Sequence, residues 1–388
     1  MLKAIETVVT PEVINRAIEQ TRSQEQRNRI LPTHLVVALV IALSLWSTES
    51  IVDVLKNLVS GLNPQWIRMD KRWKTPSKSS ISEARGRIGC FVISRLFELV
   101  ARPLATTQTP GAFLQGLRLM AVDGTVFDLP DTEANARVFG YPGTRPGTKA
   151  AFPKARLVFL VEVATHLMCD ALLCPYRMGE RVRAKKLLRS VGDGMLLMWD
   201  RGLHSYQMVD STLQRQCHLL GRVPANVKFE VVKVLDDGSY LSWIAPDRKS
   251  KIKGSGKITV RVIEYTIEQE GQQQIYRLIT DLTDISLFPA LVLAEQYHQR
   301  WEAENTLDEF KTHLNARKLP IRSKTPRLVV QEIYGWLLGH WVVRCLMFTA
   351  AHHSQISPLH LGFTGSLRLI RRAVPQFQQA QPQELPLF

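Results

Sequence analysis

Apolar and polar positions along the chain change their period twice, and the changes divide it. Up to about residue 108 the pattern is helical. Thr10-Pro11-Glu12 opens a helix with proline in its first turn. Apolar runs follow at 35–46 and 51–59, and a further helix is expected to be capped near Ser79 or Ser80. Residues 106–111, with Gln, Thr and Pro, read as a linker. From about 113 the period is that of strands. Residues 117–125 predict an apolar strand ending in Asp123-Gly124-Thr125, and 156–164 and 168–176 a hairpin about Thr165-His166. A helix is expected over 179–191, a second apolar strand over 195–199 running into Asp200, a helix from Ser205 and a short strand over 217–223. The order is strand, strand, strand, helix, strand, helix, strand. A β-rich insertion is expected next, at 228–235, 239–245, 258–267 and 275–282, with Asp236-Asp237-Gly238 as a hairpin turn. It should project from the fold without joining the sheet that positions the acids. One helix is expected over 293–314, and a disordered Gln/Pro/Leu tail from Ala373.

On the 293–314 helix, roughly 100° per residue gathers Tyr297, Arg300, Glu304 and Lys311 within an arc of about 60°. Ala303, Leu307, Phe310 and Leu314 form the apolar stripe that seats it. One carboxylate then stands beside a buried seam, with a guanidinium one turn before it and an ammonium two turns after. That suits a metal-binding acid between cations that hold phosphates. A solvated face with an Arg300–Glu304 ion pair has the same spacing and is worth only a few tenths of a kcal/mol. In a mixed sheet of this order the first and fourth strands are neighbours, which brings Asp123 and Asp200 together, and a returning helix can add Glu304. Either aspartate could instead be a turn or cap residue. Three converging carboxylates repel unless cations sit between them, and hard oxygen ligands favour Mg²⁺ or Mn²⁺.

Charge extends the picture. Fifty Lys and Arg against thirty-five Asp and Glu give the 388 residues a net charge of +15, a field that draws polyanions, nucleic acid first. Lys71, Arg72, Lys74, Lys78 and Arg85 crowd into a Ser/Thr-rich stretch that reads as a DNA-contacting arm and helix, or else as an exposed basic loop. Five scattered cysteines without a CxxC pair indicate reduced thiols in a cytoplasmic protein, and the histidines form no zinc motif. Residues 35–46 are too few to span a bilayer, and 333–351 contain His340 and Arg344, so no membrane partner is expected.

Val122-Asp123-Gly124-Thr125, Trp199-Asp200-Arg201-Gly202 and Tyr297-x2-Arg300-x3-Glu304-x6-Lys311 together carry a resemblance. The chain resembles bacterial insertion-sequence transposases of the IS-four family in the DDE superfamily, whose YREK signature the last motif reproduces in full spacing. The resemblance implies an α/β fold with a ribonuclease-H-like core, and Asp123, Asp200 and Glu304 as a catalytic triad holding Mg²⁺, for which Mn²⁺ can substitute. It implies that Tyr297, Arg300 and Lys311 hold terminal phosphates, with Arg201 a further nucleic-acid contact. The expected organisation is a helical DNA-binding domain over 1–108 and a catalytic domain over 109–223 and 286–350. The insertion then occupies 224–285 and the tail 351–388. Double-stranded DNA is the implied partner, as terminal inverted repeats and as target, with two protomers paired in the complex. Some family members stack a flipped base on a tryptophan of the insertion, where this chain has Trp243 alone; packing within its own strand is the other account of that residue. The implied activity is cut-and-paste transposition through a hairpin intermediate. A catalytically inactive DNA-binding descendant and a ribonuclease-H-like nuclease without strand transfer are the alternatives.

Overall fold

The structure, a computed structural model, describes residues 5–27, 29–59, 74–143, 150–252, 254–269, 272–315 and 321–379. The N-terminal part is helical as expected: α1 (Pro11–Gln20), α2 (Thr33–Leu45), α3 (Ile51–Val59), α4 (Lys78–Ile88) and α5 (Phe91–Val100). The cap of α4 is Ser77, whose hydroxyl accepts the Ser80 N–H, and not Ser79 or Ser80. After a short β1 (Phe113–Leu114) come β2 (Leu117–Asp128), α6 (Glu133–Phe139), β3 (Lys154–Glu162), β4 (Leu167–Pro175), α7 (Glu180–Leu187), β5 (Met195–Trp199), α8 (Tyr206–Leu213) and β6 (His218–Arg222). The insertion supplies β7 (Lys233–Val234), β8 (Tyr240–Ile244), α9 (Arg248–Ile252), β9 (Ile258–Gln269) and β10 (Gln272–Thr280). Then follow α10 (Ala290–His298), α11 (Trp301–Asp308), a π-helical turn (Glu309–Leu314), α12 (Pro326–His353) and α13 (Phe363–Gln379).

One sheet organises the chain, in the order β4-β3-β2-β5-β6-β10-β9-β8-β7. Strands β2, β3 and β4 are antiparallel neighbours, while β5 and β6 join β2 in parallel. That is the ribonuclease-H-like arrangement. The insertion does not stand apart from it: β10 pairs with the outer edge of β6, Leu278 opposite Arg222, and carries the sheet onward. Sequence periodicity cannot show this, because it reports a strand's faces and not its neighbour.

Helix α2 is buried at every position except His34, as a helix apolar on all sides must be. It packs on α12, from the far end of the chain. A Cβ at Gly335 would lie 2.7 Å from Val40 Cγ1 and 2.8 Å from the Val40 carbonyl oxygen, and Gly339 faces Ser44 in the same way. Glycine lets these two helices touch backbone to backbone. Residues 106–111 are no loose linker either. Just before them, the Leu104 and Ala105 N–H groups donate to the buried Glu162 carboxylate, and Thr109 is itself buried. The chain near its end also differs from expectation, since α13 continues through Gln379; residues 380–388 lie outside the described part. Among the described residues no helix is long and apolar enough to cross a membrane.

The expected single helix over 293–314 is three pieces. Arg300, Glu302 and Ala303 each donate to the carbonyl three residues back, which tightens the turn and starts α11 on a new axis, and the hydrogen bonding then widens to π at Glu309. No proline or glycine marks either change.

Candidate active site

Strand β2 places the first acid and β5 the second. The β2–β5 ladder ends with Val122 opposite Trp199, so Asp123 and Asp200 are the next residue of each strand. The strand does not stop at the acid, as expected, but continues to Asp128 against β3 alone, leaving Asp123 beside the open end of β5. Trp199 is fully buried against Gly221, where any side chain would strike the indole. A side chain at Gly124 would likewise strike the Glu180 carboxylate, which Arg156 holds at 2.9 Å. That close approach adds a fourth carboxylate to the neighbourhood.

Arg300 ties α11 to this edge. Its guanidinium lies 3.5 Å from Asp123 Oδ2 and donates to Glu304 Oε1 at 2.9 Å; burial would lower its pKa, but Tyr297, the Glu304 hydrogen bond and the charges of Asp123 and Asp200 together raise it. The ion pair of a plain helix face is therefore present, and Asp123, Asp200 and Glu304 all act on the Arg300 guanidinium. Burial pushes the Asp123 carboxyl up to about 6, with Glu180 and Glu304 adding to the rise and the Gly124 N–H and Arg300 opposing it. Asp200 and Glu304 keep 40% and 41% of their side-chain surface exposed, so the cluster opens to solvent.

The other expected contacts divide. Arg201 is exposed beside Asp200, and Lys74 and Lys78 are exposed ahead of and at the start of α4. Lys71 and Arg72 lie outside the described residues. Arg85 is not a surface contact: it is buried under α12, donating to Gln331 Oε1 at 2.9 Å, an arrangement set by a residue 246 positions away. Tyr297 is buried too, near the end of α10, and its hydroxyl donates to the Trp199 carbonyl at 3.4 Å. Lys311 reaches β2, donating to Thr125 Oγ1 at 3.0 Å and the Val126 carbonyl at 3.1 Å. Trp243 is half-buried in β8 with Lys257 Nζ 3.3 Å from its ring centroid. Strand β8 is four spacings from β5, about 19 Å across the sheet.

Two residues at the site escaped the sequence reading. Arg222 ends β6 as Asp200 follows β5, with Nη1 4.0 Å from Asp200 Oδ1 and its guanidinium 3.8 Å over Tyr276. The signal was its position at the carboxyl end of the next parallel strand. Trp301, between Arg300 and Glu304, is 51% exposed on the helix that carries the third acid, which no packing role in a core explains.

As the side chains stand, no group of three His, Cys, Asp or Glu among the described residues is arranged to hold a metal ion. The chemistry of the donors nevertheless fits a hard cation. Asp123, Asp200 and Glu304 offer only oxygen, and burial, with the neighbouring Glu180 and Glu304 carboxylates adding to it, raises the Asp123 pKa, which a bound cation would oppose.

Residues 1–98 match the family described as insertion element 4 transposase N-terminal, and residues 114–341 match the transposase DDE domain family. The chain is similar to Transposase InsG for insertion sequence element IS4 of Escherichia coli (strain K12), with 28% identity over 99% of this chain and 86% of that protein. It is also similar to Putative transposase InsZ of the same organism, with 25% identity over 59% of this chain and 73% of that one. A solved piggyBac transposase synaptic complex with hairpin DNA aligns over 97% of this chain and 80% of its own, at 10% identity and a TM-score of 0.47. With a sheet that sets two aspartates side by side and a helix that brings Glu304 to them, this chain belongs to the DDE transposases of the insertion element 4 kind.

Proposed function

We propose that Asp123, Asp200 and Glu304 are the catalytic carboxylates with which this transposase cuts the ends of its own element and joins them to target DNA. The observation that carries this reading is the register of β2 on β5, which makes the two aspartates neighbours, together with the Arg300 bridge from Asp123 to Glu304. The acids would hold Mg²⁺, with Mn²⁺ as a substitute, and the ions would supply an activated oxygen nucleophile and a stabilised leaving oxygen. The protein's own share is position and charge. Tyr297 fixes the end of β5 from inside, by its bond to the Trp199 carbonyl. Arg300 neutralises two acids in the free protein and offers its guanidinium to a phosphate when DNA arrives. Lys311 and the exposed Arg201, Lys74 and Lys78 add phosphate contacts, and Lys71 and Arg72 continue the basic segment. The partners are terminal inverted repeats and target duplex, engaged by two protomers in the bacterial cytoplasm.

Asp200→Ala and Glu304→Ala are each expected to abolish cleavage of the element's ends in Mg²⁺ while retaining end binding, because affinity comes mainly from phosphate contacts elsewhere. A gel-shift beside a cleavage time course separates the two. Either variant cutting at near wild-type rate removes that residue from the triad.

The same active site would cut both strands through a hairpin, whose tight bend forces a base out of the stack. Trp301 is the aromatic placed to receive it, being half-exposed next to Arg300, whereas Trp243 lies four strands off with a lysine over its ring. Stacking is worth about 1–3 kcal/mol per base, so Trp301→Ala should slow hairpin formation about tenfold and spare the first nick. Hairpins that accumulate at wild-type rate in this variant, but slowly in Trp243→Ala, would return the role to Trp243.

A further inference from the structure

Behind the acid-bearing face of α11 lies a second cluster that the triad does not use. His166, in the β3–β4 turn, has its ring between two glutamates: Nδ1 is 3.0 Å from Glu309 Oε1 and Nε2 is 2.8 Å from Glu302 Oε2. Glu309 is held in turn by Arg344 Nε at 2.7 Å and His340 Nε2 at 3.2 Å, both from α12. All of these but Glu302 are buried. Burial would raise the Glu309 pKa, but the His166 and His340 hydrogen bonds and the charges of His166 and Arg344 hold it well below the usual carboxylate range. The carboxylate is therefore a charged anchor.

The spacing gives the cluster its meaning. Glu302 and Glu309 are seven residues apart and meet the same imidazole. Glu304 and Lys311 are also seven apart, each two residues further on, a rotation of about 200° that puts them on the opposite side. Glu304 there meets Arg300, and Lys311 meets Thr125 and Val126 of β2. The segment changes from α to π hydrogen bonding at Glu309, between the first and second member of each pair, so helical geometry alone does not keep them in step.

We propose that His166 is a positioning residue: by bridging Glu302 and Glu309 from behind, it sets the depth and rotation at which residues 301–314 present Glu304 and Lys311 to the catalytic strand. This rests on Glu304 being the third catalytic acid.

The test uses full-length His166→Asn. His166 has a left-handed φ of +56°, a conformation that asparagine tolerates better than other side chains, so the turn can survive. Asparagine is too short to span both glutamates. End binding should be unchanged, and single-turnover cleavage should fall at least about tenfold, as expected for a displacement of under an ångström at the reacting groups. Amide hydrogen exchange should rise within 301–314 and stay unchanged in β2 and β5. Glu302→Gln, which keeps a hydrogen-bonding side chain, should retain more cleavage than Glu302→Ala. Wild-type cleavage and exchange in His166→Asn would overturn the proposal, as would exchange that rises evenly through the molecule, the mark of general support. Glu304→Ala run alongside tells the two failures apart: if it still cuts, the triad reading has failed, and if it is inactive while His166→Asn is normal, only the positioning role has.

Discussion

Asp123→Asn is expected to give a free protein that withstands more heat than wild type at pH 8 and cuts no DNA. In the folded chain burial, aided by Glu180 and Glu304, puts the Asp123 pKa at about 6, against 3.8 for the free side chain. A carboxyl raised on folding favours the folded state while it is protonated. Below about pH 4 the group is protonated in both states and costs nothing. Between about 4 and 6 the unfolded chain ionises first and stability drains away, and above about 6 the whole cost is present. At about 1.4 kcal/mol per pKa unit the cost approaches 3 kcal/mol, less whatever the asparagine forfeits by leaving Arg300 one carboxylate poorer. A gain on the order of 1–3 kcal/mol at pH 8, or a few degrees in Tm, should therefore shrink to nothing by pH 4. Thermal unfolding at the two pH values, without DNA or metal, measures it. Equal Tm values at pH 8 would mean that Asp123 is relieved in some other way. The acid that makes the site is, on this account, one that the fold carries at a loss.

Residues 1–108 alone are expected not to fold. Every face of α2 is buried, and the face bearing Val40 and Ser44 is covered by α12 across Gly335 and Gly339. Uncovering aliphatic side chains costs about 1.5–3 kcal/mol each, and a domain's whole stability is only about 5–15 kcal/mol, so a few such losses exhaust it. Arg85 would also lose Gln331 and Ser323, leaving a guanidinium in a pocket built for a partner that is no longer there. The fragment should aggregate or show helical circular dichroism without a cooperative melt, and adding residues 326–379 in trans should restore one. A sharp two-state transition from 1–108 by itself would show that the shared core is dispensable.

What the sequence revealed, it revealed through local rules. The limits of β5 and the Ser205 cap of α8 follow from an apolar run and a hydroxyl. The neighbouring of Asp123 and Asp200 follows from the element order, because parallel strands joined by a crossover align their carboxyl ends. What stayed hidden depended on partners far along the chain. Arg85 looks like a DNA contact until Gln331 is folded onto it. Tyr297 looks like part of an exposed phosphate-binding stripe until its hydroxyl is folded onto the Trp199 carbonyl, 98 residues earlier in the chain. Arg222 could have been read from its place at the carboxyl end of the next parallel strand, but the Tyr276 ring beneath it depends on the pairing of β10 with β6.

That last pairing gives the insertion a duty apart from DNA. Without residues 224–285, β6 would end the sheet with its Leu219 and Val223 amides, now taken by Asp281 Oδ1 and the Arg277 carbonyl, open to any passing strand, one strand away from the acids. Strand β10 closes that edge along Leu220–Arg222 and places the Tyr276 ring under the arginine that faces Asp200 at 4.0 Å. A replacement insertion would have to match a hydrogen-bond ladder and an aromatic position together. The segment that looks most like an ornament on the fold thus moves the sheet's open edge to the short β7, four strands beyond β6.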